Sequence, residues 1–201
     1  MLSEINETLS FLSSLSLTDG GINISVKKGA DEYVMTSPSA DYQELKDGDL
    51  ECLPIVIPTG NGAGESEYTR LYRAVYAGDP TVGAVIIAAT PYLTKLSERG
   101  TAIPPILDDF AQIIGPSMRV AWETDQVITA LKKRNGCMIK GRGALVTGRN
   151  LTEAATALLV AEKTAKTYIL AQRIGKPIAL PYWEAVLMNF IYKKKYRKTL
   201  Q

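Results

Sequence analysis

The chain has 201 residues, 46% of them hydrophobic and 22% charged, with a formal net charge of +2. That length and balance fit one folded domain over residues 1–201 with a substantial buried core, and the near-neutral charge excludes a general basic field for nucleic acid. The longest apolar runs, such as 82–89, are too short to span a bilayer, and the acidic residues within the first seven depart from the basic start of a secretory leader. The expected location is the cytoplasm.

A first helix is predicted over Leu2–Leu15, where Ile5, Leu9, Leu12 and Leu15 recur at helical spacing and Ser3 and Asn6 are candidate caps. Thr18 to Gly21 breaks it. Ile22–Lys28 and Glu32–Thr36 read as two strands joined by a tight turn, hence a hairpin. A loop with one helical turn follows around Asp47-Gly48-Asp49, then a strand over Leu53–Ile57 and a glycine-rich loop from Thr59 to Gly64. Glu65–Ala77 has the helical pattern of Tyr68, Leu71, Tyr72 and Val75. Val82–Ala89, rich in branched residues, reads as a buried strand. Pro91–Arg99 is a short helix, Pro104-Pro105 starts an extended entry to a segment around Leu107–Ile114, and Asp125–Arg134 is amphipathic. Cys137–Lys140 and Ala144–Thr147 are short strands around Gly141-Arg142-Gly143. The longest helix begins after Asn150, which with Glu153 resembles a capping box, and it ends at Gly175 with Pro177 beyond. Trp183–Tyr192 is a last amphipathic segment, and the basic run from Lys193 to Lys198 reads as a solvated end. Cys52 and Cys137, the two cysteines, lack the spacing of a metal motif or a disulfide framework and read as small core residues.

Four stretches in this order carry a family pattern. Asn23-Ile24-Ser25-Val26-Lys27 is followed by Thr36-Ser37-Pro38-Ser39-Ala40. Glu65-Ser66-Glu67 opens a helix, a buried strand runs toward Pro91, and Lys140-Gly141-Arg142-Gly143 precedes the long helix. Together they resemble the class II aldolase/adducin family of sugar-phosphate aldolases and epimerases. The resemblance implies an α/β fold of three layers, α/β/α, around a mixed, mostly antiparallel sheet. It also implies ring-shaped tetramers, a zinc ion held by three histidines, and a glutamate that moves protons.

The chain contains no histidine. Counting back from Pro91 along the family's His-Thr-His-Pro places two of the ligand positions at Ala88 and Thr90, and the third falls at Arg142. Methyl groups, one neutral hydroxyl and a permanent cation do not make the three-ligand protein set that catalytic zinc requires, so no metal and no other cofactor is expected. Glu67 takes the place of the family's proton-moving glutamate, at a helix amino terminus that favours its charged form. Arg142 is a candidate holder of a carboxylate or enediolate through two parallel hydrogen bonds, or else pairs with Glu67 and fills the vacated space; the pairing is the expected arrangement. Asn23, Ser39 and Ser66 match the family's phosphate-binding turns, whereas Ile22, Ala40 and Glu65 depart from them, the last by adding a charge that repels phosphate. Thr90 keeps a hydroxyl as a candidate ligand contact. The glycines at 60, 62 and 64 lack the Gly-Lys-Ser/Thr ending of a phosphate loop.

The expected function is that of a metal-free, non-catalytic homologue that binds a small anionic metabolite or a protein, with no nucleic-acid or membrane partner. By the resemblance it is a homo-oligomer, a tetramer. The alternatives are a metal-independent lyase or isomerase with Glu67 as base and Arg142 as anion holder, and a structural subunit that assembles with a catalytic paralogue.

Overall fold

The computed structural model describes residues 1–42, 45–56 and 65–198, with side chains as far as Lys195. In chain order the elements are α1 (Leu2–Ser14), β1 (Ile22–Lys28), β2 (Glu32–Thr36), β3 (Leu50–Pro54), α2 (Glu67–Gly78), β4 (Ala84–Ala88), α3 (Pro91–Arg99), α4 (Asp108–Ile113), β5 (Arg119–Ala121), α5 (Val127–Leu131), β6 (Gly136–Ile139), β7 (Gly143–Gly148), α6 (Leu151–Ile174) and α7 (Tyr182–Lys198). The strands form one seven-stranded sheet in the order β3-β2-β1-β4-β7-β6-β5. Every neighbouring pair is antiparallel except β5 with β6.

Period-two alternation assigns each strand residue to one of two cores. Ile22, Ile24, Ala84, Ile86, Ala88, Met138, Ala144 and Val146 face a layer built by α1, α3, α4 and α6. Val85, Ile87, Cys137, Ile139 and Leu145 face the opposite layer, built by α2 and α5. The result is the three-layer α/β/α arrangement with a mostly antiparallel sheet that the sequence led us to expect.

β1 carries two polar residues, Asn23 and Ser25, on the α2 side, and both are buried. The tyrosines of α2 explain them. Tyr72 and Tyr76 recur every four residues and lie on one face of the helix. The Tyr72 hydroxyl donates to Asn23 Oδ1 at 2.7 Å, and the Tyr76 hydroxyl donates to Ser25 Oγ at 3.0 Å. Tyr33 on β2 donates to the Thr69 carbonyl of α2 at 3.2 Å. Burial pushes the Tyr33 phenol up to about 12 and those of Tyr72 and Tyr76 higher still, which keeps all three as donors at neutral pH.

Several boundaries differ from expectation. β3 spans 50–54 rather than 53–57, because its register with β2 runs from Thr36↔Leu50 to Glu32↔Pro54. As an edge strand it is at least partly exposed throughout and carries no apolar alternation to mark its start. Ile57 and the glycine-rich loop lie outside the described residues. β5 escaped notice: three residues, Arg119-Val120-Ala121, give no period to read. The predicted amphipathic run at 125–134 is a 3-10 turn, Thr124–Gln126, followed by the five residues of α5. α7 runs from Tyr182 to Lys198, so the basic run is helical. Cys137 is buried, its thiol pushed up to about 12 by desolvation, but Cys52 is exposed rather than part of a core, because it lies on edge strand β3. Among the described residues no helix is long and apolar enough to cross a membrane.

Candidate functional site

A cleft of about 360 Å³ opens where the carboxy end of β4, the β6–β7 turn, the start of α2 and the turn before β1 converge. Its walls include Gly20, Gly21, Glu67, Tyr68, Leu71, Ile87, Ala89, Ile139 and Arg142. Glycines allow the close approach. A Cβ on Gly143 would sit 2.3 Å from the Ala88 carbonyl oxygen, and one on Gly20 would sit 2.2 Å from that of Ala89. Gly143 also has φ near +104°, a conformation side chains resist. The turn itself closes with the Arg142 N–H donating to the Ile139 carbonyl at 3.0 Å, with Gly141 at φ +71°. These constraints hold Arg142 at the rim of the cleft.

Ser66 caps α2: its hydroxyl accepts from the Thr69 N–H at 3.1 Å, leaving Glu67 as the first helical residue. The Glu67 carboxylate is engaged from two sides. Arg142 Nη1 donates to Oε2, and the Thr124 hydroxyl donates to Oε1. Burial alone would raise the Glu67 pKa, but the Arg142 and Thr124 hydrogen bonds and the charges of Arg142 and Arg70 outweigh it, so it lies below the ordinary carboxylate value. The expected Glu67–Arg142 pair is therefore present. Thr124, from the turn after β5, was not legible in the sequence, because nothing local ties a lone threonine to a helix start 57 residues earlier.

The expectation for Thr90 and Ala88 needs correction. Alternation along β4 turns Ile87 and Ala89 toward the cleft, while Ala88 belongs to the core beneath α6. Thr90 is also buried away from the cleft. Its hydroxyl donates to Glu162 Oε2 at 2.6 Å, and Glu162 accepts as well from the backbone N–H groups of Tyr92 and Leu93 at 2.8 and 2.9 Å. Glu162 thus caps α3 from a neighbouring helix, in place of the missing side-chain cap at Thr90. Counting back from Pro91 shifted the register by one residue, and a one-residue shift exchanges the two faces of a strand. Glu162 was visible in principle: it lies on the apolar face of α6, between Leu158 and Ala165, where a carboxylate needs partners.

The residues expected to contact phosphate do not line the cleft. Asn23 is buried and saturated: its Nδ2 donates to the Thr36 carbonyl at 2.8 Å and to the Tyr42 hydroxyl at 3.2 Å, and its Oδ1 accepts from Tyr72. Ser66 is spent on its cap, and its hydroxyl also lies 2.7 Å from that of Thr69. Ser39 is exposed, with its hydroxyl 3.1 Å from that of Ser37. Glu65, expected as a repulsive charge, is matched by Arg73 at 2.5 and 2.6 Å.

With Ile87 and Ala89 on the cleft side, the residues that would face a metal differ from those the sequence pattern indicated. The cleft side chains on β4 and at the β6–β7 turn are Ile87, Ala89 and Arg142, which supply two hydrocarbons and a guanidinium. The remaining carboxylate, Glu67, already binds that guanidinium. This set does not fit a zinc ion, which needs several lone-pair donors converging at about 2.0–2.3 Å. What the arrangement can do is hold an anion. Arg142 is about half exposed, Tyr68 lies at the wall, and Ile87, Leu71 and Ile139 make one side of the cleft apolar.

A family model described as the class II aldolase and adducin N-terminal domain matches residues 4–169. A 5-methylthioribulose-1-phosphate/5-deoxyribulose-1-phosphate aldolase of Rhodospirillum rubrum is 26% identical over 178 residues, covering 84% of this chain and 80% of that protein. Among solved structures, an L-fuculose 1-phosphate aldolase superposes with a TM-score of 0.85 at 26% identity, covering 95% of each chain. The L-fuculose-1-phosphate aldolase of Thermus thermophilus superposes with a TM-score of 0.73 at 20% identity, covering 86% of this chain and 94% of its own. By its sequence over most of its length and by its fold, this chain belongs to the class II aldolase and adducin family.

Proposed function

We propose that this chain is a metal-free member of its family that binds a small anionic metabolite in the Glu67–Arg142 cleft and does not carry out zinc-dependent carbon–carbon cleavage. One observation carries the reading: the Glu67 carboxylate is bound by the Arg142 guanidinium, and the β4 residues that line the same cleft, Ile87 and Ala89, have no lone pair to offer a metal. Loss of Lewis-acid stabilisation, worth several kcal/mol, corresponds to several powers of ten in rate. The lowered pKa of Glu67 also makes it a weak base at neutral pH, which favours binding over metal-independent lyase or isomerase chemistry. In this reading an incoming carboxylate or phosphate accepts from Arg142 while Tyr68 packs beside it. Self-assembly, as a tetramer by family resemblance, is part of the proposal.

The experiment combines elemental analysis with titration calorimetry. Purified protein is expected to hold far less than one zinc per chain. Among small carboxylates and sugar phosphates, those that bind are expected to lose about tenfold or more in affinity in Arg142→Met, the scale of one charge-assisted fork. Stoichiometric, tightly held zinc, or zinc-dependent turnover of a sugar phosphate, refutes the reading.

A further inference from the structure

The sheet has a second concave end. Opposite the Glu67–Arg142 cleft, where Ala84 of β4 pairs with Gly148 of β7, a groove of about 500 Å³ opens between the end of α2, α5 and α7. Four cationic side chains line it, Lys132, Lys133, Arg134 and Lys193, against one carboxylate, Asp79. Asp79 already accepts from the N–H and the hydroxyl of Thr81 at 3.0 and 2.7 Å. Val75, Val82 and Leu131 supply an apolar wall.

Two buried groups in this groove lack the partners that burial demands. Arg134 is 7% exposed, yet among the described residues no carboxylate lies within ion-pair distance of it. Its guanidinium donates from Nε to the Ser117 carbonyl at 2.9 Å, from Nη2 to the Ser117 hydroxyl at 3.0 Å and from Nη1 to the Lys132 carbonyl at 2.7 Å. Neutral acceptors occupy the donors but leave the charge uncompensated. The second group is the hydroxyl of Thr147, a residue 5% exposed. Alternation along β7 sets Thr147 on the same side as Leu145, and it lines both this groove and the pocket beside it. Its hydroxyl has no hydrogen-bond partner among the described residues, and it is not sealed off as the hydroxyl of Thr94 is, so it opens to the groove. Arg134 also builds the rim. Its bond to the Lys132 carbonyl, with its own N–H on the Leu131 carbonyl at 2.7 Å, holds Lys133 at φ +62°, a conformation that glycine or asparagine adopts more readily. The turn brings Lys132 and Lys133, both exposed, to the mouth of the groove.

We propose that this groove is a second anion site, separate from the Glu67–Arg142 cleft, and that it takes a phosphate monoester with an apolar body. The phosphate lies among Lys132, Lys133 and Lys193, in the field of Arg134, and accepts from the Thr147 hydroxyl. The body lies along Val75, Val82 and Leu131. The excess of positive charge favours a dianion over a single carboxylate, and the volume is that of a small-molecule site. The proposal stands whether or not the first cleft binds a ligand of its own.

The test uses the full chain carrying Arg142→Met, which disables the first cleft, and titration calorimetry with phenyl phosphate, inorganic phosphate and benzoate at low salt. Phenyl phosphate is expected to bind at one per chain, about tenfold more tightly than either of the others. Adding Thr147→Val, which keeps the shape and removes the hydroxyl, or Lys133→Gly, which removes a charge and suits the backbone, is expected to weaken phenyl phosphate by about tenfold with an unchanged far-ultraviolet spectrum. Phenyl phosphate that binds wild type but not Arg142→Met belongs to the first cleft and overturns this site. Absence of binding to both chains, or binding that neither added variant weakens, overturns it as well. Benzoate held as tightly as phenyl phosphate overturns the assignment to a phosphate.

Discussion

Thr90 donates its hydroxyl hydrogen to Glu162 at 2.6 Å, joining the entrance of α3 to the middle of α6. Glu162 is 7% exposed and accepts three hydrogen bonds in all, so removing it strands two backbone donors and a hydroxyl. Glu162→Ala is expected to destabilise the protein by about 3 kcal/mol or more, and Thr90→Ala by about 1–2 kcal/mol, by denaturant unfolding. Anion affinity in the cleft is expected to be unchanged in Thr90→Ala. A tenfold loss of affinity there returns Thr90 to the binding site.

The face assigned to each β4 residue has its own test. With Ile87 and Ala89 on the cleft side, the triple variant Ile87→His, Ala89→His, Arg142→His gathers three imidazoles beside Glu67, a donor set suited to zinc. It is expected to bind zinc stoichiometrically. The variant Ala88→His, Thr90→His, Arg142→His directs two imidazoles into the α6 core, where they find no metal partner and destabilise the fold by overpacking. Zinc binding by the second variant and not the first reverses the register correction.

The fold was legible because the helices and the central strands carry strong periods. α1, α3 and α6 fall within one or two residues of expectation, and the β1–β2 hairpin matches its predicted spans. Edge strands were not legible: β3 is partly exposed along its length and β5 has three residues, so neither carries a buried face to impose alternation. The site was legible in part. Glu67 and Arg142 meet because each sits at a locally marked position, a capped helix start and a glycine-flanked turn. The place of Asn23 and Ser66 apart from the cleft was not legible, because a polar residue at a strand or helix start looks the same whether it serves a ligand or the fold. Only the positions of Tyr72, Thr36 and Thr69 decide, and those contacts are long-range or depend on a cap.

Asn23 gives the third prediction. It ties β1 to β2 through Thr36, to the following loop through Tyr42, and to α2 through Tyr72. Asn23→Ala leaves a fully buried phenol and a strand carbonyl unpaired, and is expected to cost about 2–4 kcal/mol in denaturant unfolding. Tyr72→Phe in the same background is expected to recover part of the loss, because it removes the orphaned hydroxyl. Full stability of Asn23→Ala, with only anion binding impaired, makes Asn23 a ligand contact after all.

The Glu67–Arg142 pair predicts a pH dependence with a definite sign. Burial pulls the Glu67 pKa up, but Arg142, Thr124 and Arg70 hold it below its ordinary value in the folded state. The unfolded chain therefore binds more protons in the acid range, and stability rises with pH there. The contribution is fully present above the unfolded carboxylate pKa and is lost as pH falls through the depressed folded value. Its size is small: Arg142 is 54% exposed and Glu67 27%, and solvent screening limits such a pair to about 0.2–1 kcal/mol, less at high salt. The stability difference between wild type and Glu67→Gln is expected to favour wild type at neutral pH and to shrink toward about pH 3, below the ordinary carboxylate range. Arg142→Met removes the largest opposing influence and leaves burial, which acts in the other direction. In that background the effect of Glu67→Gln on stability is expected to lose its pH dependence or to change sign. An acid-range dependence that persists undiminished in Arg142→Met means that the guanidinium is not what holds the Glu67 proton off.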